Sequence, residues 1–464
     1  MDLLPTLLNH KDRCAFIREN GGETSYQQLL DYAMKLSTRI GNKKSLIAIY
    51  CKQNTATVIG YIAARLGGHT ALLLDNQLNE HLINTLVTTY QPNYVWQPSG
   101  NGAEYELICL DNQAHPHLHP DLSLLLSTSG STGSPKLVKL SEKNLLANAA
   151  SIIEYLGINQ DDRPIISLPF HYSYGLSVLN THLHVGATML LTESPVTQGR
   201  FWQFFKSARA NSFSGVPYTY EMLRKLRFKE MQLHSLRYMT QAGGKMDQEL
   251  IRYFVDISEQ RGFKFYVMYG QTEATARIAY LPYNKVREKI NSIGIPIPGG
   301  QWWLQDEQKT KIASPHKQGE LVYRGLNVMM GYAETIEDLG CGDELDGVLE
   351  TGDLAYFDAD GFCYITGRLK RFIKLFGNRY SLDDIQKSLT QAGMESVAGG
   401  FDNRLLIATK MHDKVDAICD YLTEEYKIHH SVIEVYPVDS FPIGSSGKLR
   451  YGELFASLTK DQQQ

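Results

Sequence analysis

One loop constrains the fold of this chain more than any other stretch of it. Residues 127–136 read STSGSTGSPK, a run of small and hydroxyl-bearing residues that ends in Pro-Lys. Upstream, the apolar run at residues 122–126 predicts a buried strand of a parallel sheet. Downstream, Ser141 is placed to cap an amphipathic helix that begins near Glu142. We therefore expect this loop to join a strand to a helix.

The composition of the loop predicts that it binds phosphate. Gly130 and Gly133 permit positive φ, so that consecutive backbone N–H groups can turn toward one anion. Lys136 adds a positive charge. Further donors come from the hydroxyl groups of Ser127, Thr128, Ser129, Ser131 and Thr132. The loop is not a Walker A element, because Pro135 precedes the lysine and Leu137 follows it, where that motif needs Gly and Ser or Thr.

Composition excludes several classes of protein. The chain has 464 residues, of which 43% are hydrophobic and 21% charged, with a net charge of −4. These values are ordinary for a globular enzyme and argue against a nucleic-acid-binding protein. No apolar run approaches the roughly 18 residues of a membrane span, and the N-terminus does not resemble a signal peptide. Because the six cysteines form no C-x-x-C pair, we expect reduced thiols and a cytoplasmic location.

The order of predicted elements gives the fold class. Strands at residues 45–50 and 70–74 alternate with helices near Thr55–Leu66 and residues 79–88, which predicts a doubly wound α/β arrangement that continues to about residue 290. After Gly294, short strands and turns predict a small β subdomain. The last part of the chain reads helix, two strands, helix, strand and helix. We expect a large N-terminal domain of parallel α/β sheets with this β subdomain, followed by a small α+β C-terminal domain.

Four further sequence motifs follow the loop, and the order in which they occur along the chain is informative. They are YGQTE at residues 269–273, TGD at 351–353, GRLKRFIK at 367–374, and PIGSSGKLR at 442–450. Together with the loop, they resemble the ordered motifs of the adenylate-forming superfamily of AMP-dependent synthetases and ligases. That superfamily includes acyl-CoA synthetases, aryl-CoA ligases, firefly luciferase and nonribosomal adenylation domains. The resemblance covers nearly the whole chain.

The resemblance implies two domains and a moving part. Residues 1–368 would form the domain that binds ATP and the acid, and residues 369–464 a small mobile domain. Lys370 would mark the hinge between them. Lys448 would be the catalytic lysine, bridging the attacking carboxylate and the α-phosphate as negative charge develops.

The resemblance also assigns roles in binding ATP and Mg²⁺. The loop would hold the phosphates, Tyr269 would face the adenine, and Thr272 would bond a phosphate oxygen. Glu273 would contribute to catalysis as the ligand of Mg²⁺, a cation that prefers oxygen ligands. Asp353 and Arg368 would bind the ribose. The full predicted nucleotide-binding set is Thr128, Ser129, Gly130, Ser131, Thr132, Gly133, Lys136, Gly243, Gly244, Tyr269, Gly270, Gln271, Asp353 and Arg368.

The acid is predicted from residues 168–175, LPFHYSYG, which resemble the P-F-x-H-x-x-G segment of aryl- and acyl-activating enzymes. Enzymes that activate amino acids usually place an Asp where His171 stands, so an α-amino acid would lack a partner for its ammonium group. The pocket wall is expected at Val216, Pro217, Ala242, Gly243 and Gly244. His171 has two open interpretations, a catalytic residue of the acid site or a core histidine bonded to backbone.

The predicted reaction is therefore the activation of an acyl or aryl acid with ATP to acyl-AMP and pyrophosphate. The acyl group would then pass to the pantetheine thiol of CoA or of a separate acyl carrier protein, and the sequence leaves this choice open. We expect the acceptor to be a separate molecule because few residues follow Arg450. Two alternatives remain at this stage, an amino-acid substrate loaded on a freestanding carrier protein, and a non-catalytic adenylate-binding regulator or scaffold.

Overall fold

The computed structural model describes residues 3–78, 80–100, 104–110, 116–127, 136–369, 371–376, 378–401, 403–444 and 449–460. The chain packs into two compact units. The first consists of the described residues of Met1–Thr128, Ser134–Trp302 and Tyr323–Leu349. The second consists of those of Trp303–Val322 and Glu350–Gln464. The predicted boundary between residues 368 and 369 stays a prediction.

The described residues contain strands and helices in an α/β arrangement. The strands are β1 (Cys14–Arg18), β2 (Glu23–Ser25), β3 (Leu46–Cys51), β4 (Thr70–Asp75), β5 (Tyr94–Pro98), β6 (Tyr105–Cys109), β7 (Leu122–Ser127), β8 (Leu137–Ser141), β9 (Pro164–Ile166), β10 (Met189–Leu191), β11 (Ser212–Gly215), β12 (Tyr238–Gln241), β13 (Lys264–Tyr269), β14 (Ala279–Leu281), β15 (Ile295–Pro296), β16 (Gln301–Gln305), β17 (Lys311–Ile312), β18 (Gly319–Arg324), β19 (Gly331–Ala333), β20 (Val348–Phe357), β21 (Cys363–Arg368), β22 (Phe372–Leu375), β23 (Asn378–Ser381), β24 (Ser396–Phe401), β25 (Arg404–Thr409) and β26 (Ile433–Pro437). The α-helices are α1 (Leu3–Leu8), α2 (Tyr26–Ile40), α3 (Thr55–Leu66), α4 (Glu80–Tyr90), α5 (Glu142–Leu156), α6 (Ser173–Val185), α7 (Gly199–Ser207), α8 (Pro217–Lys225), α9 (Gln248–Arg261), α10 (Leu382–Gln391), α11 (Val415–Tyr426) and α12 (Tyr451–Lys460).

Two large sheets form the first unit. One has the order β19-β8-β7-β4-β3-β5-β6, with parallel pairing among β7, β4, β3 and β5. The other has the order β15-β14-β13-β12-β11-β9-β10-β1-β2, and its central strands are also parallel. Helices α2, α3 and α6 share one apolar core with inward-facing residues of both sheets. Helices that cover parallel strands are the arrangement that the alternating sequence pattern predicted.

The surroundings of the glycine-rich loop differ from the prediction in one respect. The loop does not lead directly into a helix, because strand β8 follows it and pairs antiparallel with β7, with Ser127 opposite Leu137. The helix comes next and is capped as expected. Ser141 accepts a hydrogen bond from the backbone of Asn144, and the Asn144 side chain accepts one from the backbone of Ser141, which completes a capping box. The two ends of the loop are therefore fixed side by side.

The second unit carries most of a five-stranded sheet, in the order β17-β16-β18-β20-β21. The hairpin of β22 and β23 follows, and then a three-stranded sheet of β24, β25 and β26. Helices α10 and α11 pack on that three-stranded sheet around a separate apolar core. The succession from α10 to α12 is the predicted helix, two strands, helix, strand and helix. None of the helices described here has the length and apolarity needed to cross a membrane.

Candidate active site

The YGQTE segment lies at the carboxyl end of β13, an edge where parallel α/β sheets commonly bind ligands. Its chain turns back sharply after Tyr269. A Cβ atom on Gly270 would overlap the carbonyl oxygen of Ala276, so the turn requires glycine. Gln271 donates a hydrogen bond from Nε2 to the Tyr269 hydroxyl at 3.1 Å. The turn thus brings together Tyr269, Gly270 and Gln271, which were predicted to bind the nucleotide.

A buried amide holds the backbone that follows this turn. Asn327 is 3% exposed and donates from Nδ2 to the carbonyl oxygens of Ala274 at 2.9 Å and Arg277 at 2.8 Å. Its Oδ1 accepts a hydrogen bond from the Tyr323 hydroxyl at 2.9 Å. A second buried amide, that of Asn148, donates to the Arg277 carbonyl at 3.1 Å. These bonds fix the segment that carries Thr272 and Glu273.

Glu273 sits in a small group of polar and aromatic side chains. Its Oε1 accepts a hydrogen bond from the Tyr332 hydroxyl at 2.9 Å. Burial, and next the charge of Glu273, raise the pKa of Tyr332, which stays a proton donor at neutral pH. Nζ of Lys136 lies 3.6 Å from the centroid of the Tyr332 ring, and it pairs with Glu334 at 3.1 Å. The structure therefore places the lysine at the end of the predicted phosphate loop beside the YGQTE segment.

The pairing of strands explains why Lys136 and Tyr332 lie beside the YGQTE segment. Tyr332 lies on β19 directly opposite Val138 on β8. The backbone N–H of Met329, just before β19, donates to the carbonyl oxygen of Glu273 at 2.9 Å. Tyr332 did not figure among the predicted site residues. It lies far along the chain from both of its partners, Lys136 and Glu273, so that no local pattern marks it.

The LPFHYSYG segment approaches the same turn. The hydroxyl groups of Ser173 and Thr272 lie 3.2 Å apart, within hydrogen-bonding distance. Gly175 is required here, because a Cβ atom on it would overlap the carbonyl oxygen of Pro169. Thr272, one of the predicted phosphate ligands, is thus adjacent to the first turn of α6.

His171 is held by a carboxylate at the end of a strand. Its Nε2 lies 3.6 Å from Oδ2 of Asp75, the last residue of β4, and both side chains are largely buried. Burial lowers the pKa of His171, and the charge of Asp75 offsets this shift only in part. The imidazole is therefore neutral at neutral pH. Asp75 was missed in the sequence, where an acidic residue after an apolar strand is too common to stand out.

Gly243 and Gly244 follow β12 and meet the LPFHYSYG segment. Gly243 has φ of +86°, and a Cβ atom there would overlap the Tyr172 hydroxyl and lie 3.2 Å from Cγ1 of Val216. The Gly244 carbonyl accepts a hydrogen bond from Nε2 of Gln241 at 2.8 Å. Tyr172 of the LPFHYSYG segment therefore lies against Gly243 and close to Val216, two of the residues expected in the wall of the acid pocket.

The predicted ribose residues meet within the second unit. Asp353 on β20 and Arg368 on β21 are opposite each other in the antiparallel register, and Nε of Arg368 lies 2.9 Å from Oδ1 of Asp353. Asp353 is 2% exposed, whereas the Arg368 side chain is 60% exposed. The Thr351 hydroxyl accepts a hydrogen bond from the backbone N–H of Asp353 at 3.1 Å. A buried carboxylate and a solvent-facing guanidinium are thus paired.

The residues on either side of the predicted hinge share one carboxylate. Asp383, in the first turn of α10, accepts from the Arg368 backbone N–H at 3.1 Å and pairs with Nη1 of Arg371 at 2.6 Å. Nη2 of Arg371 also donates to the Ala398 carbonyl oxygen at 2.6 Å. Sequence reasoning overlooked Asp383, which lies two residues after Ser381, the N-cap of α10.

Several predicted residues lie outside the described part of the chain. They are Thr128, Ser129, Gly130, Ser131, Thr132, Gly133, Lys370 and Lys448. The described residues that flank Lys448 pair with each other. Ile443 and Leu449 form an antiparallel bridge, and the Arg450 N–H donates to the Pro442 carbonyl at 2.9 Å.

Comparison with known proteins identifies the family. The model of the AMP-binding enzyme family matches residues 6–333. YngI of Bacillus subtilis (strain 168) is 30% identical over 348 residues, which cover 70% of this chain and 62% of YngI. The 2-succinylbenzoate–CoA ligase of Geobacillus sp. (strain WCH70) is 24% identical over 495 residues, covering 94% of this chain and 93% of that protein.

A solved structure shares the fold over almost the full length. The o-succinylbenzoate CoA synthetase of Bacillus subtilis, in complex with the acyl-adenylate intermediate OSB-AMP, has a TM-score of 0.78 and 22% identity and covers 97% of both chains. This likeness confirms the predicted fold class. The family match extends from the first helix through the strand that carries Tyr332, and so includes the turn at Glu273. The chain belongs to the AMP-binding enzyme family, and the predicted membership of the adenylate-forming superfamily is confirmed.

Proposed function

We propose that this protein is an AMP-forming ligase that joins a carboxylic acid to a thiol. The acid would attack the α-phosphate of ATP, giving acyl-AMP and releasing pyrophosphate, and a thiol would then displace AMP to form a thioester. The observation that carries this proposal is the group formed by Glu273, Tyr332 and Lys136 at the YGQTE turn, in a chain of the AMP-binding enzyme family. This group offers both a carboxylate and a cation, and binding of a nucleoside triphosphate with Mg²⁺ would need both.

We propose specific roles for the residues that bind ATP. Residues 128–133 and Lys136 would hold the phosphates, while Tyr269, Gly270 and Gln271 would bind the adenine side together with Gly243 and Gly244. Asp353 would accept hydrogen bonds from the ribose hydroxyls. Its buried carboxylate suits this role, because Arg368, which pairs with it, is solvent-facing and can turn to the ribose or phosphate.

The carboxylate of Glu273 fits a magnesium ligand. It is half-buried and receives one hydroxyl hydrogen bond, from Tyr332, which orients it while leaving lone pairs on both oxygens. Mg²⁺, when bound, would neutralise charge on the phosphates. Thr272, fixed beside Ser173, would donate its hydroxyl to a phosphate oxygen. These two neighbouring residues therefore have distinct tasks.

We further propose that the acid is an acyl or aryl acid bound along the wall of His171, Tyr172, Val216 and Gly243. The neutral His171, whose ring lies 3.6 Å from the Asp75 carboxylate, would orient the reacting carboxyl group. The aromatic and aliphatic side chains of Tyr172 and Val216 offer an apolar surface. An apolar wall favours contact with the hydrocarbon part of an acyl or aryl acid, and disfavours a second strongly hydrated group at this position.

Residues 369–464 would act as the mobile domain. Lys448 would stabilise the charge that develops on the α-phosphate during adenylation. Rotation about Lys370 would then expose the acyl-adenylate to the thiol, and the bonds from Asp383 to the residues flanking Lys370 support this segment as a defined joint. Both lysines stay proposals from the sequence motifs.

We propose CoA as the acceptor. Among the similar proteins are 2-succinylbenzoate–CoA ligases and the oxalate–CoA ligase of Arabidopsis thaliana, which is 27% identical over 72% of this chain. A carrier protein presents the same pantetheine arm and is the competing outcome. Thioester formation measured with CoA and with pantetheinylated carrier proteins separates the two.

Acid-dependent exchange of pyrophosphate into ATP tests the adenylation step. We expect exchange with aryl or acyl acids, and a loss on the order of 10²–10³ in Lys448→Ala, as for other single groups that stabilise transition-state charge. Lys387→Ala is the matched control, because Lys387 is an exposed lysine of the same unit on α10. Full exchange in Lys448→Ala would refute its proposed role. Tight ATP binding with no exchange for any acid would favour a non-catalytic adenylate-binding protein.

A further inference from the structure

A buried arginine next to the proposed acid site lacks a carboxylate partner. Arg277 is 2% exposed and is the largest fully buried side chain in the described part of the chain. Its Cζ lies 4.6 Å from the centroid of the Tyr174 ring, and Nη2 is 3.4 Å from the Ser177 hydroxyl. Its buried Nε has no hydrogen-bond partner, and no ion pair links it to a carboxylate among the described residues. A full positive charge is thus held in the interior by neutral groups.

Arg65, another arginine with a buried side chain among the described residues, is neutralised in the usual way. The Arg65 side chain is 3% exposed, and it binds the Glu142 carboxylate through Nε at 3.0 Å and through Nη2 at 2.5 Å. Such a bidentate pair satisfies both the charge and the geometry of a guanidinium. Arg277 has no equivalent, although an uncompensated buried charge is strongly destabilising. The difference indicates that the anion for Arg277 comes from outside the protein.

The tyrosines around Arg277 do not supply a negative charge. Burial raises the pKa of Tyr155, and the charge of Arg277 opposes this shift only in part. The same holds for Tyr174, whose hydroxyl bonds the Thr240 carbonyl at 2.9 Å. Both phenols therefore stay neutral at physiological pH and do not act as counterions for the Arg277 guanidinium.

One aromatic ring, that of Tyr174, separates the Arg277 guanidinium from the wall of the proposed acid pocket. Tyr172, whose hydroxyl lies against Gly243, packs edge-on against Tyr174 with 6.2 Å between ring centroids. Arg277 lies on Tyr174, and its charge acts on Tyr172 as well. The backbone of Arg277 is held by the amides of two asparagines, so its side chain starts from a fixed point. Arg277 is thus linked to Gly243 through the contacts of two tyrosine rings.

We propose that Arg277 binds a second carboxylate on the acid, and that the preferred substrate of this enzyme is a dicarboxylic acid. This inference rests on the proposed function and adds the class of acid. One carboxylate would react with ATP near His171 and Thr272, while the other would pair with Arg277. We take the spacer to be several bonds or an aromatic ring, because the rings of Tyr172 and Tyr174 separate Gly243 from Arg277.

Matched pairs of acids test this proposal. Adipate is compared with hexanoate, and benzene-1,4-dicarboxylate with 4-methylbenzoate, in pyrophosphate exchange by the wild type, Arg277→Met and Arg277→Lys. We expect the wild type to favour the diacid of at least one pair by about 10- to 100-fold in kcat/KM, the range of a hydrogen-bonded charged group. Arg277→Met should abolish this preference, and Arg277→Lys should restore part of it.

Melting of the ligand-free proteins separates binding from a structural role. Arg277→Met should melt at the same temperature as the wild type or higher, because it removes an unpaired buried charge. The proposal is overturned if the wild type does not favour the diacid in either pair. It is also overturned if Arg277→Met melts lower and loses activity equally with both acids of a pair.

The proposed function and this inference can fail separately. Exchange with monoacids alone would leave the ligase proposal standing and remove the role of Arg277. If no acid supported exchange, the ligase proposal would fall. The inference would then be decided by melting with acid and no ATP, where a diacid must stabilise the wild type and not Arg277→Met.

Discussion

Asn327 is expected to be the side chain on which the YGQTE turn depends most. Replacing it with leucine keeps the approximate shape but removes two donated hydrogen bonds and one accepted bond. The Ala274 carbonyl keeps a bond from the Ala276 N–H, and the Arg277 carbonyl keeps the one from Asn148. The Tyr323 hydroxyl alone loses its acceptor outright.

These remaining bonds set the size of the effect. Three lost hydrogen bonds at about 1 kcal/mol each, with about 1–2 kcal/mol more for the buried hydroxyl left unpaired, give a loss of about 4–5 kcal/mol in the free energy of unfolding. Asn148→Leu is the matched comparison, since it removes one bond and leaves the Arg277 carbonyl paired with Asn327. It should lose about 1 kcal/mol.

Urea unfolding measures the stability of both variants, and pyrophosphate exchange measures their function. We expect the exchange rate of Asn327→Leu to fall at least tenfold under conditions where the protein is folded, because a shift of about 1 Å in Glu273 suffices for a large loss. Equal stability losses in the two variants would refute the argument, because the effect would not follow the number of bonds. Unchanged exchange in a destabilised Asn327→Leu would show that the turn keeps its position without this amide.

Two further predictions concern the interior of the first unit. Glu142→Gln should lower the free energy of unfolding by about 2 kcal/mol at pH 7, less than the loss for a fully buried pair because this carboxylate is 37% exposed. Burial raises the pKa of Glu142, but the charge and hydrogen bonds of Arg65 outweigh burial and lower it overall, so this stability is present above about pH 4.3 and disappears as the pH falls through the folded-state pKa. Urea midpoints at pH 7 and at pH 3 check this, and an equal gap between wild type and variant at both pH values would contradict it. Gly270→Ala should cost about 1–3 kcal/mol and reduce exchange, because its Cβ atom would overlap a carbonyl oxygen, whereas Gly199→Ala meets open space and serves as the control. Equal melting temperatures and activities for the two alanine variants would show that the turn relaxes.

The architecture could be predicted because its signals are local. Apolar strands, capped amphipathic helices and the order of the motifs gave the α/β domain, the small β subdomain and the final α+β segment. Helix α5 illustrates this, since Ser141 and Asn144 form its capping box within four residues of each other. Such features depend on neighbouring residues alone.

Strand β8 was missed because its character depends on a distant part of the chain. Lys139 is fully buried in this strand, which hides the apolar pattern. Its ammonium donates to the carbonyl oxygens of Asp338 at 3.1 Å and Cys341 at 3.3 Å, and it pairs with Glu344 at 3.6 Å. A buried lysine is compatible with a strand only once these partners are known.

The residues of the candidate site also divide into those recognised from local motifs and those that depend on distant contacts. Glu273, Thr272 and Asp353 belong to motifs and could be proposed from the sequence, whereas Tyr332 and Arg277 acquire their significance from contacts. Arg277 looks like an ordinary polar residue after the YGQTE segment, and only its burial against the Tyr174 ring sets it apart. Whether a side chain is buried, and which groups it contacts, is decided by the tertiary structure.

The strand orders of the two large sheets also affect how the chain reaches its folded state. Strand β1 pairs with β10, and β8 pairs with β19. In each pair, the second strand is synthesised long after the first. During synthesis, β1 and β8 emerge first and present unpaired edges until those later strands follow. Such non-local pairing slows folding and exposes edges to aggregation, which predicts a need for chaperones during biosynthesis. A chain that stops before β19 would also leave Lys139 without the carbonyl groups that solvate it.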